Sequence, residues 1–221
     1  MLGRNSVLCA NSSVLATMAG IFPRPNLVYL NTSTRSRLSN RINAVLSSSK
    51  LNSPDRMPPA VSKFIIHHPW SIEHVNGSQD VYLRNTIFAR SVDIHWSILP
   101  APSGGISIST GFGVPFTISV ADNLTPQGLV FECRTQKRAS YRYVIERITS
   151  YRSLTERGSR SSYKGPAFVT LDPALQAAFD ETLHDWGIST EVVDFIEASS
   201  QYYNNMEYVN WLCNINDFIS K

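Results

Sequence analysis

Residues 172–220 read DPALQAAFDETLHDWGISTEVVDFIEASSQYYNNMEYVNWLCNINDFIS, and this stretch decides the fold. Asp172 and Pro173 indicate a helix start, because aspartate caps free backbone N–H groups and proline suits the first helical position. Gly187 indicates the end of that helix, since glycine readily takes the left-handed exit conformation. Apolar residues recur between these signals at steps of three and four, so the helix has an apolar face that must be buried.

A second helix is predicted to begin near Ser189 or Thr190 and to end with a broad apolar stripe. The stripe residues recur at helical spacing: Tyr208, Trp211, Leu212, Ile215 and Phe218. A terminal helix with such a stripe buries it against a sheet, a neighbouring subunit, or both. We expect these residues to be core, with roughly half of the stripe facing another subunit, because interfaces favour aromatic anchors.

The first 50 residues differ in composition from the rest of the chain. They contain six arginine or lysine residues and no acidic residue, and they are rich in serine. This composition is typical of a mitochondrial transit peptide, whereas the apolar stretch Val14–Phe22 is short for a secretory signal. We therefore predict a transit peptide and N-terminal helix region over residues 1–50 and a single domain over residues 51–221. A secreted adhesion-type protein is the alternative.

The overall composition limits the class of protein. The chain has 221 residues, of which 43% are hydrophobic and 17% are charged, so it is long enough for one soluble domain with a substantial core. No apolar run reaches the roughly 18–20 residues that a membrane span requires. Cys133 and Cys213 lack the spacing of a zinc site or a disulfide framework, and we expect no cofactor.

The middle of the chain carries strand signals. A helix is predicted within residues 35–52, and from Lys63 onward the pattern changes to strands. The segments are 70–75, 81–87, 91–99, 115–121, 128–134 and 140–151, with shorter candidates at Ile106–Ser109 and Ala167–Leu171. Asn76-Gly77 is a hairpin turn signal. About seven strands joined by short turns predict an α+β fold, in which a twisted antiparallel sheet is flanked by an N-terminal helix and two C-terminal helices.

Several ordered motifs resemble those of a known family. They are WSIEHVNG at residues 70–77, LVFEC at 129–133, LDPAL at 171–175 and EYV-x-WL at 207–212. In this order they resemble the mitochondrial glycoprotein family and its divergent kinetoplastid branch, over roughly residues 63–219. The best-known animal member of that family is an acidic matrix protein that also binds complement.

The resemblance implies a doughnut-shaped trimer, built from identical or related chains, of a non-enzymatic mitochondrial matrix protein. It further implies that this protein binds others to support mitochondrial RNA processing of the RNA-editing type, ribosome assembly or translation. The alternatives are a direct RNA-binding protein and a subunit or assembly factor of the mitochondrial ribosome. One feature departs from the family pattern: familiar members carry an acidic loop, whereas residues 100–113 contain no charged side chain.

Residues 134–164 form the most basic part of the chain. Tyrosines alternate with its arginines, and the candidate contacts to RNA or phosphate are Arg134, Lys137, Arg138, Arg142, Arg147 and Arg152. Arginine pairs with phosphates and tyrosine stacks on unpaired bases, so this pattern suits single-stranded RNA. The competing interpretation is structural, with the tyrosines in the core and the arginines paired to acidic helices.

Residues 165–221 are, in contrast, strongly acidic. Candidates for docking a basic partner are Asp180, Glu181, Asp185, Glu191 and Asp194, although such charges are usually a solvated helix surface. Signals for catalysis are poor. His67 and His68 would point to opposite faces of a strand, and Asp93-x-His95 lacks a third ligand at a recognisable spacing. We therefore predict neither an enzyme nor a metal site.

Overall fold

The structure, a computed structural model, describes residues 32–47, 57–98, 113–153, 155–157 and 163–220. It divides into two compact units. The sheet unit is Ser53–Tyr208, and the terminal-helix unit combines Met1–Asn52 with Val209–Lys221. The predicted strand at Ile106–Ser109, and residues 100–112 of the uncharged loop, lie outside the described residues.

The sheet unit contains one antiparallel sheet whose strands follow chain order. The strands are β1 (Ser71–His74), β2 (Asp80–Ile87), β3 (Arg90–Ser97), β4 (Pro115–Asp122), β5 (Gly128–Thr135) and β6 (Tyr143–Tyr151). In the described part of the chain there are therefore six strands rather than the predicted seven. The sequence placed the start of β6 at residue 140, but residues 137–142 form a turn instead.

The predicted strand at Ala167–Leu171 was wrong. Phe168–Thr170 is a 3-10 helix, closed by N–H donation from Thr170 to the Ala167 carbonyl and from Leu171 to the Phe168 carbonyl. The Thr170 hydroxyl also donates to the Ala167 carbonyl at 2.7 Å. Pro166 precedes this turn and lacks the N–H that a ladder requires, so the segment does not join the sheet.

Four helices complete the described structure: α1 (Thr32–Ser47), α2 (Pro59–His67), α3 (Pro173–Asp185) and α4 (Thr190–Ser220). The helices predicted within 35–52, from Asp172 to Gly187 and from Thr190 onward are confirmed. We expected strands from Lys63 onward, but residues 63–67 are helical, because α2 continues to His67. Its two buried residues, Val61 and Phe64, are three positions apart and lie on one helical face.

The ends of α3 follow their sequence signals. The Asp172 carboxylate accepts hydrogen bonds from the backbone N–H groups of Ala174 and Leu175, at 2.9 and 3.3 Å. Pro173 occupies the first helical turn. Gly187 has a φ of 80°, and a Cβ there would lie 2.8 Å from Ile87, so both the backbone conformation and the packing against β2 favour glycine.

The core of the sheet unit lies on one face of the sheet. Strand β3 alternates as predicted, since Val92, Ile94 and Trp96 are buried and the residues between them are partly exposed. The helices cover this buried face: Phe195 of α4 packs edge-on against Trp96, and Phe131 of β5 packs against α3. The opposite face carries polar side chains that pair with one another across the strands.

The terminal-helix unit consists of α1 and the last part of α4. The Ser39 hydroxyl donates to the Asn216 side-chain oxygen at 2.8 Å, and the Arg35 side chain donates to the Ile219 carbonyl. Arg35 precedes Ser39 in α1, but its partner Ile219 follows Asn216 in α4. The two helices are therefore antiparallel. Across the described ranges, no helix combines the length and the apolar character that would let it cross a bilayer.

Candidate functional site

Arg142 occupies the turn before β6 and is tied to α4. Its guanidinium Nη2 lies 2.8 Å from an Asp194 carboxylate oxygen and 3.9 Å from one of Glu197. Its φ is 66°, a conformation that non-glycine residues rarely take. The side chain is thus held in place by the acidic helix of the same chain, as the structural interpretation of the basic segment expected.

Two further arginines lie on the sheet face that the helices leave open. Arg134 Nε is 2.8 Å from Glu146, and its Nη1 donates to the Gly113 carbonyl at 3.2 Å. Arg147 Nε lies 3.9 Å from Glu132 on the neighbouring strand. Cross-strand pairs of opposite charge stabilise a sheet modestly, so both arginines have local structural partners.

The remaining three basic candidates are exposed. Lys137 and Arg138 lie in the turn between β5 and β6, and Arg152 follows the end of β6. Within the described ranges none of these side chains has an ion-pair partner. Two of the tyrosines expected to stack on bases are not accessible to a base, because Tyr143 and Tyr151 are both only 3% exposed. The structure therefore does not bring the six basic candidates into one Arg/Tyr surface.

The five acidic candidates also separate. Glu191 lies 2.8 Å from His68, and Asp194 pairs with Arg142. Glu181 and Asp185 are exposed on α3 and have no ion-pair partner among the described residues. Asp180 is half-buried on the same helix, and burial raises the pKa of its carboxyl above the ordinary value.

Asp180 faces a cavity of about 610 Å³ that the sequence did not reveal. The cavity lies beside β6, the turn before it, the 3-10 helix and α3, and its lining includes Tyr141, Tyr143, Glu146, Phe168, Gln176 and Asp180. Gln176 closes one wall, since its amide nitrogen donates to the Leu171 carbonyl at 2.8 Å. The lining segments are far apart in the sequence, so no local sequence signal predicts that they meet. The incorrect prediction of a strand at 167–171 also missed the cavity wall that the 3-10 helix forms.

The apolar stripe of α4 is only partly core. Leu212 is buried at 6% exposure, as expected, and Ile215 is half-buried. Trp211 and Phe218 are 56% and 81% exposed, and Tyr208 is 41% exposed, so these three are not part of the core of a single chain, and the expectation that half of the stripe faces another subunit stays a prediction. Among the described residues, α1 packs against the last part of α4, and Trp211 and Phe218 stay exposed beside it.

The three histidines singled out in the sequence are not brought together in the described structure. His67 and His68 lie at the end of α2 rather than on a strand. His95 Nε2 lies 2.9 Å from Asp80, and this bond is the main reason that the pKa of Asp80 is lowered. Ser97 donates to the same Asp80 oxygen rather than to His95, so the three do not form a nucleophile–base relay. The described residues contain no cluster of three or more metal-ligating side chains.

These features define the class of protein: an α+β fold with one antiparallel sheet and helices on one of its faces. The chain matches the family model described as mitochondrial glycoprotein, MAM33, over residues 104–219, which is more than half of its length. The chain therefore belongs to the mitochondrial glycoprotein family, and the resemblance identified from the sequence is confirmed. Membership of this family supports a mitochondrial accessory protein.

A curated relative agrees with this assignment. The chain is 33% identical over 75 residues to the mitochondrial acidic protein mam33 of Schizosaccharomyces pombe. The match covers 34% of this chain and 28% of the yeast protein, so it spans only about a quarter of that protein's length.

Two solved structures have the same fold. One is a Leishmania major protein of unknown function, described as a sequence homologue of human p32, with a TM-score of 0.64 and 14% identity. The other is the Trypanosoma brucei p22 protein, with a TM-score of 0.64 and 17% identity. The matches cover 84% and 85% of this chain and 99% of each of the others. At these identities the likeness shows the fold alone, and it confirms the predicted α+β class.

Proposed function

We propose that this chain is a non-enzymatic accessory protein of the mitochondrial matrix that works by binding other proteins. In this role it supports mitochondrial RNA processing, ribosome assembly or translation. Residues 1–50 act as the import leader and adjoining helix, and residues 51–221 as the binding domain. The family assignment motivates the location, and the distribution of paired and unpaired charges motivates the mode of action.

The observation that carries the proposal is the unpaired acidic charge exposed on α3. Arg134, Arg142 and Arg147 have acidic partners in the same chain, whereas Glu181 and Asp185 on α3 have no ion-pair partner among the described residues. A surface with unpaired charge attracts partners of opposite charge and raises their association rate. The helix α3 therefore presents an acidic surface suited to a basic segment of another protein.

Self-association is the second part of the proposal. Trp211 and Phe218 expose large aromatic surfaces on α4, and interfaces favour such anchors. We infer a trimer of identical or related chains, closed through this stripe. Sedimentation of the chain at micromolar concentration should give about three times the protomer mass. The variant Trp211→Ser/Phe218→Ser should sediment as a smaller species, and a wild-type chain that stays monomeric would contradict the inference.

The docking role is tested by affinity purification from mitochondria followed by mass spectrometry. Charge reversal by Glu181→Lys/Asp185→Lys should remove most co-purifying RNA-processing or ribosomal proteins without unfolding the chain. Asp217→Lys reverses an exposed charge on the last part of α4 and serves as the matched control. Unchanged recovery from the α3 variant would show that this helix does not dock partners.

Direct RNA binding is the alternative function, and the exposed cations Lys137 and Arg138 favour it. If these side chains contact phosphates, ultraviolet crosslinking to RNA should weaken steeply as salt rises and should drop in Lys137→Glu/Arg138→Glu. Co-sedimentation with ribosomal particles tests a third role, as a ribosome subunit or assembly factor. A chain that crosslinks no RNA and sediments free of particles leaves protein binding as the function.

A further inference from the structure

We propose that the cavity between β6 and α3 binds the side chain of one lysine from a partner protein. This inference rests on the proposed protein-binding role and gives it a specific recognition site. The occupant is an isolated lysine in a neutral or acidic segment, rather than a run of basic residues. The size, lining and charge of the cavity lead to this conclusion.

The cavity has the size and lining of a ligand site. Its volume of about 610 Å³ lies within the roughly 300–1,000 Å³ range of such sites. Aromatic and aliphatic side chains form most of the wall, and Tyr141 and Tyr143 lie with ring centroids 6.2 Å apart. Such walls suit the four-carbon stem of a lysine, and the faces of aromatic rings attract its ammonium.

Two polar groups in the cavity lack partners in the described structure. Tyr143 is 3% exposed, and its buried hydroxyl has no hydrogen-bond partner there. Asp180 has neither an ion pair nor a hydrogen bond in the same part of the chain, although its side chain is half-buried. The Asp180 carboxylate is partly exposed and lines the cavity, so it is available to pair with an incoming cation. An ammonium has three N–H donors and can donate one of them to this carboxylate.

The electrostatics of the cavity favour a cation over an anion. Burial and the nearby Asp180 carboxylate raise the pKa of Tyr143. Burial, together with Asp180 and Glu146, raises the pKa of Cys133. Burial is the largest cause of both shifts, and the smaller part that comes from Asp180 and Glu146 indicates a negative potential in this region, although Arg134 pairs with Glu146. A negative potential attracts a positively charged side chain, whereas it repels a phosphate or a carboxylate.

The neighbouring turn explains why a single lysine fits better than a basic run. Lys137 and Arg138 immediately precede Ala139 and Ser140, which line the cavity. These two exposed cations repel a run of positive charges more strongly than a single lysine, and they attract acidic residues beside that lysine. The sequence preference is therefore acidic–lysine–acidic, which differs from general attraction of basic proteins to α3.

Fluorine NMR of the full chain labelled with 3-fluorotyrosine tests this site. The probe is the peptide acetyl-Ser-Glu-Lys-Glu-Ser-amide, and the Tyr141 and Tyr143 signals are assigned with Tyr→Phe variants. The lysine peptide should shift these two signals saturably and leave Tyr163, which is outside the cavity, unchanged. The same peptide with norleucine in place of lysine should give no shift, because it keeps the stem and lacks the charge.

Asp180→Asn supplies the mutational test, with Glu181→Gln as the matched control. Loss of a charged hydrogen-bond partner should weaken the lysine peptide about tenfold, whereas the neighbouring exposed change should alter affinity less than about twofold. Equal binding of the norleucine peptide, equal affinity in Asp180→Asn, or unchanged Tyr141 and Tyr143 signals would each overturn the proposal. Partner capture through Glu181 and Asp185 is measured separately, so failure here leaves the docking role of α3 standing.

Discussion

The basic turn before β6 is partly paired within the fold, whereas the exposed acids of α3 have no ion pair among the described residues: Arg142 of the turn has an acidic partner, while Lys137 and Arg138 have none. Both were candidate partner surfaces by composition. In the structure, Arg142 of the turn is held by Asp194 at 2.8 Å, whereas Glu181 and Asp185 of α3 have no ion pair in the described part. The comparison shows that charge density alone does not identify a binding surface. Charges already paired within the fold contribute less to an encounter than unpaired ones do.

The largest expected effect on stability comes from weakening the contact between α3 and the sheet. Phe131 is fully buried, and its ring lies 6.3 Å from those of Phe179 and Trp186. We expect Phe131→Ala to lower the free energy of unfolding by about 3–5 kcal/mol, since it leaves a cavity beneath the helix. Urea denaturation measures this change. A loss below about 1 kcal/mol would mean that α3 does not depend on this contact.

A smaller effect separates paired from exposed cations. Arg142→Ala leaves Asp194 and Glu197 without their partner, and we expect it to lower stability by about 1–2 kcal/mol after solvent screening. Lys137→Ala in the same turn is the control and should change stability by less than about 0.5 kcal/mol. Thermal denaturation of the two variants side by side measures the difference. Equal stabilities of the two variants would show that the ion pairs of Arg142 do not stabilise the fold.

The smallest effect concerns the half-buried carboxyl of Asp180. Its pKa is raised in the folded state, so folding favours the neutral form and the charged form destabilises the fold at neutral pH. We expect Asp180→Asn to be more stable than wild type at pH 7, by less than about 1 kcal/mol. This advantage should fade as the pH falls through the raised pKa and vanish below the ordinary value of 3.8. Denaturation across pH 3–7 measures it, and a constant difference would show that burial does not perturb this group.

Elements with local signals were predictable from the sequence. The cap at Asp172, the glycine exit at Gly187 and the alternation along β3 each depend on residues close together in the chain. The hairpin at Asn76-Gly77 is another example, since Gly77 has a φ of 84° and the Ser78 N–H donates to the Val75 carbonyl. Short-range physics therefore predicted most of the sheet and three of the four described helices.

What the sequence could not supply depends on contacts between distant segments. The helix α2 is nine residues long, too short for its helical period to stand out in the sequence. The cavity brings residues near 140 together with Phe168 and Asp180, and the pairing of Arg142 with Asp194 spans a similar separation. Composition identified both charged segments but could not tell which charges the fold itself would pair.

The most direct test compares the two regions in one experiment. Glu181→Lys/Asp185→Lys on α3 and Lys137→Glu/Arg138→Glu in the turn are expressed in mitochondria, and their co-purifying proteins are quantified against wild type. We expect the α3 variant to lose most partners and the turn variant to keep them. Full recovery by the α3 variant together with loss by the turn variant would contradict it.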